Sequence, residues 1–236
     1  MAKIKNVLRD LNPWWKGEFE IEYKQREIYE QIEKFMPLPQ IIALTGLRRV
    51  GKTTLMRKII EDAIENGFDS RNIIYFSFDE YSDAEIREGM RGYEELMEKD
   101  FRGRRGNYLL LLDEIQKLSN WENQLKSIYD LFGKKVKIII SGSESLFIRK
   151  KTKETLAGRI FEFKVELLSF GEFLRFKEVD YKPIGIYERE LAKLFGEFTL
   201  TVGFPELVNI KEKDVVKKYV KESIVEKVVY RDIPGL

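Results

Sequence analysis

A parallel α/β sheet covered by helices on both faces, with a small helical segment after it, is the fold this sequence predicts. Three features predict it. From residue 40 onward, short apolar runs alternate with amphipathic stretches at helical spacing, the pattern of strands joined by crossover helices. One apolar run passes directly into a glycine-framed loop and then into a helical pattern, the order a parallel strand–turn–helix unit requires. After residue 168 the strand signal ends and apolar residues recur at helical spacing only.

Taken in order, residues 1–39 read as an N-terminal extension, with Asn12-Pro13-Trp14-Trp15 near its middle and a helical pattern over 24–35 that stops before Pro37. The strands are expected at 40–45, 73–78, 108–112, 136–141 and 160–167, and helices between them include 52–66, 121–132 and 144–157. These divide the chain into the extension, a core at 40–168 and a helical domain at 169–236. The helical domain carries the patterns "YERELAKLFGEFTLTV" and "VVKKYVKESIVEKVV".

Composition excludes whole classes of chemistry. The 236 residues contain no cysteine and no histidine, so no disulfide, Cys/His zinc site or imidazole-based triad can form. Acid–base work must run through Asp, Glu, Lys or Tyr, with any metal held by oxygen ligands. Forty-two basic residues face 40 acidic ones, so net charge says nothing about nucleic acid. The apolar runs are too short to span a bilayer and the N-terminus lacks a signal-peptide core; a cytoplasmic protein with no membrane contact is expected. Abundant Lys, Glu and Arg with few Gln points to a thermophilic source.

Gly46-Leu47-Arg48-Arg49-Val50-Gly51-Lys52-Thr53 matches the phosphate-loop pattern G-x-x-x-x-G-K-[ST] at every fixed position. Its glycines let successive backbone N–H groups curl inward toward phosphate oxygens, and the following helix, entered through Thr53 and Thr54, offers the positive end of its dipole. Lys52 can neutralise charge on the β- and γ-phosphates, and Thr53 can ligate Mg²⁺. Backbone rather than side chain touches phosphate at Arg48 and Arg49, so at least one of these arginines is expected to turn away toward acids or a partner. The run "YLLLLDEIQ" then sets Asp113 and Glu114 at the end of a buried strand, the edge where open α/β sheets bind ligands. Asp113 there can support the metal and Glu114 can polarise a water. The run "VKIIISGSES" brings Ser141 to the same edge, either as a sensor of the γ-phosphate or water, or as part of a serine-rich turn capping the next helix.

With "TGLRRVGKTTLM", "LLLLDEIQ" followed by Trp121, "IIISGSES", "TLAGR", "LLSFGEFL" and "GFPE", the chain resembles the archaeal-type predicted ATPases of the AAA superfamily, close to the signal-transduction ATPases with numerous domains. The resemblance covers roughly residues 12 to 233. It implies a P-loop NTPase core with a five-stranded parallel sheet of AAA type, a C-terminal helical lid, and ATP or ADP bound with Mg²⁺. In AAA oligomers the arginine finger comes from the junction before the last strand, so the resemblance offers Arg159 as a finger acting on a neighbouring copy in a homo-oligomer, although the signal-transduction relatives often lack one. The alternative is a structural arginine tying lid to core. Pro205 in "GFPE" matches a Gly-x-Pro motif whose proline region lies near the nucleotide, although Gly203 and Pro205 also simply suit a helix end.

Three basic clusters, at 102–105, at 149–153 and among the lysines of 211–222, read mainly as solvated surface: the third is interleaved with acids as the wet face of an amphipathic helix, and the other two lack the interleaved aromatics of a nucleic-acid module. Relatives of the resembled type carry a winged-helix-like domain after the lid. A protein or DNA partner would bind through such a missing domain, as the "VVYRDIPGL" tail suggests. Two functions follow: a Mg²⁺-dependent ATPase driving a conformational switch or motor, or a regulatory nucleotide-binding switch with negligible turnover, DNA-associated or not. A small-molecule kinase fits less well, since Glu114 suits water activation.

Overall fold

The apolar runs carry too little polar surface to face water on either side, and they assemble into one sheet. In the computed structural model, residues 2–17, 19–79, 85–103, 106–143 and 154–225 are described, without the side chains of Ala2 and of 223–225. Among them the strands are β1 (Ile41–Thr45), β2 (Ile73–Ser77), β3 (Tyr108–Asp113), β4 (Val136–Gly142) and β5 (Ile160–Lys164). They form a five-stranded sheet in the order β2-β3-β4-β1-β5, every pairing parallel. β1, β2 and β3 are buried along their whole length, whereas only Phe163 is buried on β5, as a strand paired on one side only would show. The register sets Leu112 opposite Ile140, and Ser77 opposite Asp113, so the polar ends of β2, β3 and β4 share one edge.

The other outer strand, β2, is buried because the N-terminal segment covers it. Helix α1 (Ala2–Leu11) packs on β2 and on α4 (Ile86–Met97). Beyond α1, Asn12 acts as a substitute strand partner: its Nδ2 donates to the Tyr75 carbonyl at 2.9 Å and its Oδ1 accepts from the Tyr75 N–H at 2.7 Å. The indole N–H groups of Trp14 and Trp15 both donate to the Ile73 carbonyl, at 3.1 and 2.8 Å. An open strand edge is a pairing liability, and this segment closes it. The first part of the expected extension, through Trp15, is thus structurally part of the sheet unit.

Chain contacts define two units. The first comprises Met1–Tyr23, Gln31–Thr45 and Lys52–Lys164. It holds the sheet with α3 (Lys52–Glu65), α4 and α5 (Trp121–Phe132), and most of α2 (Glu27–Phe35), whose final carbonyl, with those of Leu38 and Gln40, accepts from the Lys137 ammonium of β4 at 2.7–3.0 Å. The second comprises Lys24–Glu30, Gly46–Gly51 and Val165–Leu236. It contains α6 (Phe170–Phe176), α7 (Glu188–Thr201) and α8 (Lys213–Tyr219), the last running into a π-helical turn at Val220–Val225. Its core gathers Leu168, Phe173, Leu174 and Val208, with Phe170 and Phe198 packed against them.

The division falls at 164/165 where 168/169 is expected, and it assigns the phosphate loop to the second unit. The expected last strand, 160–167, stops at Lys164. Most of the helix expected over 144–157, the basic cluster at 149–153, part of that at 102–105 and the "VVYRDIPGL" tail lie outside the described residues.

Candidate functional site: a phosphate loop and a carboxylate at the strand edge

β1 delivers the chain to Gly46, whose φ of +145° and position leave no room for a side chain: a Cβ there would lie 2.3 Å from the Val165 carbonyl oxygen. The loop then turns through Arg49 at φ +65° and Gly51 at φ +99° before α3 begins at Lys52. Positive φ costs little at Gly51 and is uncommon at a residue such as Arg49. The Arg49 guanidinium donates to Glu206 at 2.7 Å and to the Tyr219 hydroxyl at 2.8 Å, and it lies 5.0 Å from the Tyr219 ring centre. This arginine therefore turns toward an acid.

Of the remaining predicted loop residues, Leu47 and Arg48 are half-buried, Val50 is buried and Thr54 is exposed on α3. Val50 has its carbonyl fixed by a residue the sequence did not single out. Arg26, only 4% exposed, donates through Nη1 to the Val50 oxygen at 2.7 Å and through Nη2 to the Glu166 oxygen at 2.8 Å. Its Nε donates to Glu172 at 2.8 Å. Glu172 closes a capping box with Ser169 at the start of α6, and its carboxylate also accepts from the Glu27 and Ser169 N–H groups at 2.9 and 3.0 Å. Burial works to raise this carboxyl's pKa, but the hydrogen bonds from Arg26, Glu27 and Ser169 outweigh it and hold it below its ordinary value.

Within the sheet unit, three hydroxyls converge on Asp113, which is 4% exposed. Thr53 Oγ1 donates to Oδ2 at 2.8 Å, Tyr75 donates to the same oxygen at 2.6 Å, and Ser141 Oγ donates to Oδ1. Burial first, then the neighbouring Asp113 carboxylate, push the Tyr75 hydroxyl well above its ordinary value, so it stays a donor. Ser141, fully buried, accepts from the Glu114 N–H at 3.1 Å as well. Glu114 itself adopts the left-handed region at φ 55°, ψ 42°, a conformation that costs a non-glycine residue roughly 1–2 kcal/mol. Such strain marks a place where the surroundings dictate backbone direction. The Glu114 carboxylate accepts from Gln116 Nε2 at 2.6 Å. Lys52 is buried at the first position of α3.

The donor set fits a hard divalent cation. Thr53 and Asp113 present a hydroxyl and a carboxylate oxygen within 2.8 Å of each other, and the described residues contain no group of three acidic side chains able to cage a metal alone. Mg²⁺ is characteristically held this way, by one or two protein oxygens with substrate phosphates and water completing its shell.

A family model for the AAA domain matches residues 38–174, more than half of the chain. The chain belongs to this AAA domain family. Its fold accordingly is a P-loop α/β core with the parallel sheet described above. Related sequences include a protein of Haemophilus influenzae, 28% identical over 209 residues, covering 88% of this chain and 50% of the relative. Another, from Methanocaldococcus jannaschii, is 30% identical over 216 residues, covering 91% of this chain and 46% of the relative. Both are described only as uncharacterised proteins. The chain spans about half the length of the curated relatives it matches. Among solved structures, PCH-2 of C. elegans aligns with a TM-score of 0.50 and 13% identity, covering 94% of this chain and 66% of that one. That likeness is one of fold.

One predicted residue stands apart from the Asp113 cluster within the sheet unit. Arg159 precedes β5, and its carbonyl accepts from the Ile41 N–H at 2.8 Å. That places it at the start of β1, a strand length of about 16 Å from the phosphate-loop end. Its side chain pairs with Asp130 at 2.9 Å. Pro205 opens a short 3-10 turn, Pro205–Leu207, and its neighbour Glu206 rather than the proline meets Arg49. Sequence reasoning missed Arg26, Tyr75, Gln116, Glu172 and Glu206. Only Glu172 carried a signal, the Ser169/Glu172 capping-box spacing.

Proposed function

We propose that this chain binds ATP with Mg²⁺ at the phosphate loop and hydrolyses it to drive a conformational switch. The observation that carries the proposal is the Thr53–Asp113 hydrogen bond at 2.8 Å, which joins the last residue of the phosphate-loop motif to the carboxylate at the end of β3. Bound there, Mg²⁺ would supply charge neutralisation on the phosphates. Thr53 and Asp113 would hold it, and Lys52, at the positive end of α3, would bring further positive charge to the phosphates. Ser141 holds Asp113 and the Glu114 backbone in one orientation. The Glu114 carboxylate is assigned the role of accepting a proton from the attacking water. Arg159, at the opposite sheet edge, would serve a neighbouring copy's site, leaving its own strand-edge chemistry to Glu114.

One observation favours a second reading, a regulatory switch that holds nucleotide with negligible turnover. Gln116 occupies a Glu114 oxygen at 2.6 Å, which weakens that carboxylate as a base while the bond persists. ATP turnover by the purified chain, in Mg²⁺ and in excess chelator, separates the two. Metal-dependent turnover supports hydrolysis; nucleotide retained through purification without turnover supports the regulatory reading.

A further inference from the structure

The loop that would hold the phosphates is fastened from outside by a buried side chain. The peptide joining Val50 to Gly51 is planar and trans, so the Val50 carbonyl and the Gly51 N–H point in opposite directions. Gly51, at φ +99°, has the freedom to let that peptide rotate. Arg26 removes the freedom, because its Nη1 holds the Val50 oxygen at 2.7 Å. The guanidinium is itself immobile: a planar fork with Nε on Glu172 and Nη2 on the Glu166 carbonyl, both at 2.8 Å, cannot turn without breaking a buried hydrogen bond.

We infer that Arg26 is a positioning residue for nucleotide binding: it aims the Gly51 amide of the phosphate loop, and Glu172, at the start of α6, sets Arg26. This inference rests on the nucleotide-binding reading above and deepens it, making loop geometry depend on a residue of the helical segment. The contrast with Arg49 supports it. The side chains of Arg49 and Glu206 are 36% and 50% exposed, those of Arg26 and Glu172 only 5% and 6%. An exposed pair contributes little and exchanges readily with water, whereas the buried fork is the fixed point of the loop.

The test measures ATP and ADP dissociation constants with melting temperatures for the parent, for Arg26→Lys and for Arg26→Met combined with Glu172→Leu. Lysine keeps a charge facing Glu172 but cannot span all three acceptors. The double variant removes both buried charges together, so that neither is left without its counter-charge, although the Val50 and Glu166 carbonyls and the Glu27 and Ser169 N–H groups lose these partners. The expected result is a tenfold or greater loss of affinity for both nucleotides in each variant, measured below that variant's melting temperature. A merely structural role predicts instead that affinity returns with stability. A folded variant binding within twofold of the parent overturns the inference, and if Arg26→Lys does not fold, the double variant decides. A parent that binds neither nucleotide overturns the nucleotide reading itself, a distinguishable failure.

Discussion

Replacing Glu172 by Gln removes one charge from a buried pair whose side chains are 5% and 6% exposed. The amide keeps the volume of the carboxylate and one acceptor oxygen, which can still serve Arg26 and the Glu27 N–H. Its NH₂ group then faces the Ser169 N–H, a donor against a donor, where the carboxylate accepted at 3.0 Å. Arg26 is left buried without a counter-charge. Breaking a buried pair in this way costs about 3–5 kcal/mol, and the retained hydrogen bonds place the expected loss near the lower end, ~3 kcal/mol. For a chain of this size that lowers the melting temperature by about 6–12 °C. Calorimetry or circular dichroism at neutral pH measures it, and a shift under about 2 °C refutes the view that Glu172 supplies Arg26 with a buried counter-charge.

The same pair sets an acid dependence. The native Glu172 carboxyl titrates below its ordinary value of 4.5, so its stabilisation is complete above that value. It is lost as pH falls through the native pKa. The parent's advantage over Glu172→Gln should therefore shrink in acid, while an advantage independent of pH would contradict the assigned charge.

Two further outcomes follow from the geometry. Asn12→Ala leaves the buried N–H and C=O of Tyr75 without their partners at 2.7 and 2.9 Å, so stability should fall by about 2–4 kcal/mol; hydrogen exchange at the Tyr75 amide, slow in the parent, should become fast, and continued protection would refute the edge-covering role. Arg159→Ala should reduce ATP hydrolysis by ~10³–10⁵ with ATP affinity unchanged if the arginine serves a neighbouring copy, and hydrolysis at the parent rate would end that idea.

Much of the sheet was legible because its central strands are built on runs of Leu and Ile. The 108–112 run became Tyr108–Asp113 and the 136–141 run Val136–Gly142, since a fully buried parallel strand declares itself by composition. The last strand was read three residues too long. Val165 is apolar and buried, yet it belongs to the second unit, as does Leu168 just beyond the expected strand, whose N–H donates to the Gly203 carbonyl at 2.8 Å. Apolar identity does not say which core a residue joins. Trp14 and Trp15 read as an extension for a related reason: their function, covering an open strand edge through the Ile73 carbonyl, depends on a partner 58 residues or more away.

At the site, the loop and the Thr53–Asp113 hydrogen bond were legible because a glycine-framed turn and a carboxylate at a strand end each leave a fixed local pattern of residue type and spacing. Tyr75 was hidden in a strand, where a tyrosine reads as core. Arg26 was hidden in a charged stretch that reads as a solvated helix face. Its burial arises from three acceptors distant in sequence, Val50, Glu166 and Glu172, and no local pattern encodes such a convergence.

The central claim, that the phosphate loop and the β3 carboxylates together bind and break ATP, is tested most directly by Glu114→Gln. Mg²⁺-ATP binding and turnover are measured side by side in variant and parent. The predicted result is parent-like affinity with turnover lost, since the amide cannot take a proton from water. Turnover at the parent rate, or no ATP binding by either protein, would contradict the account.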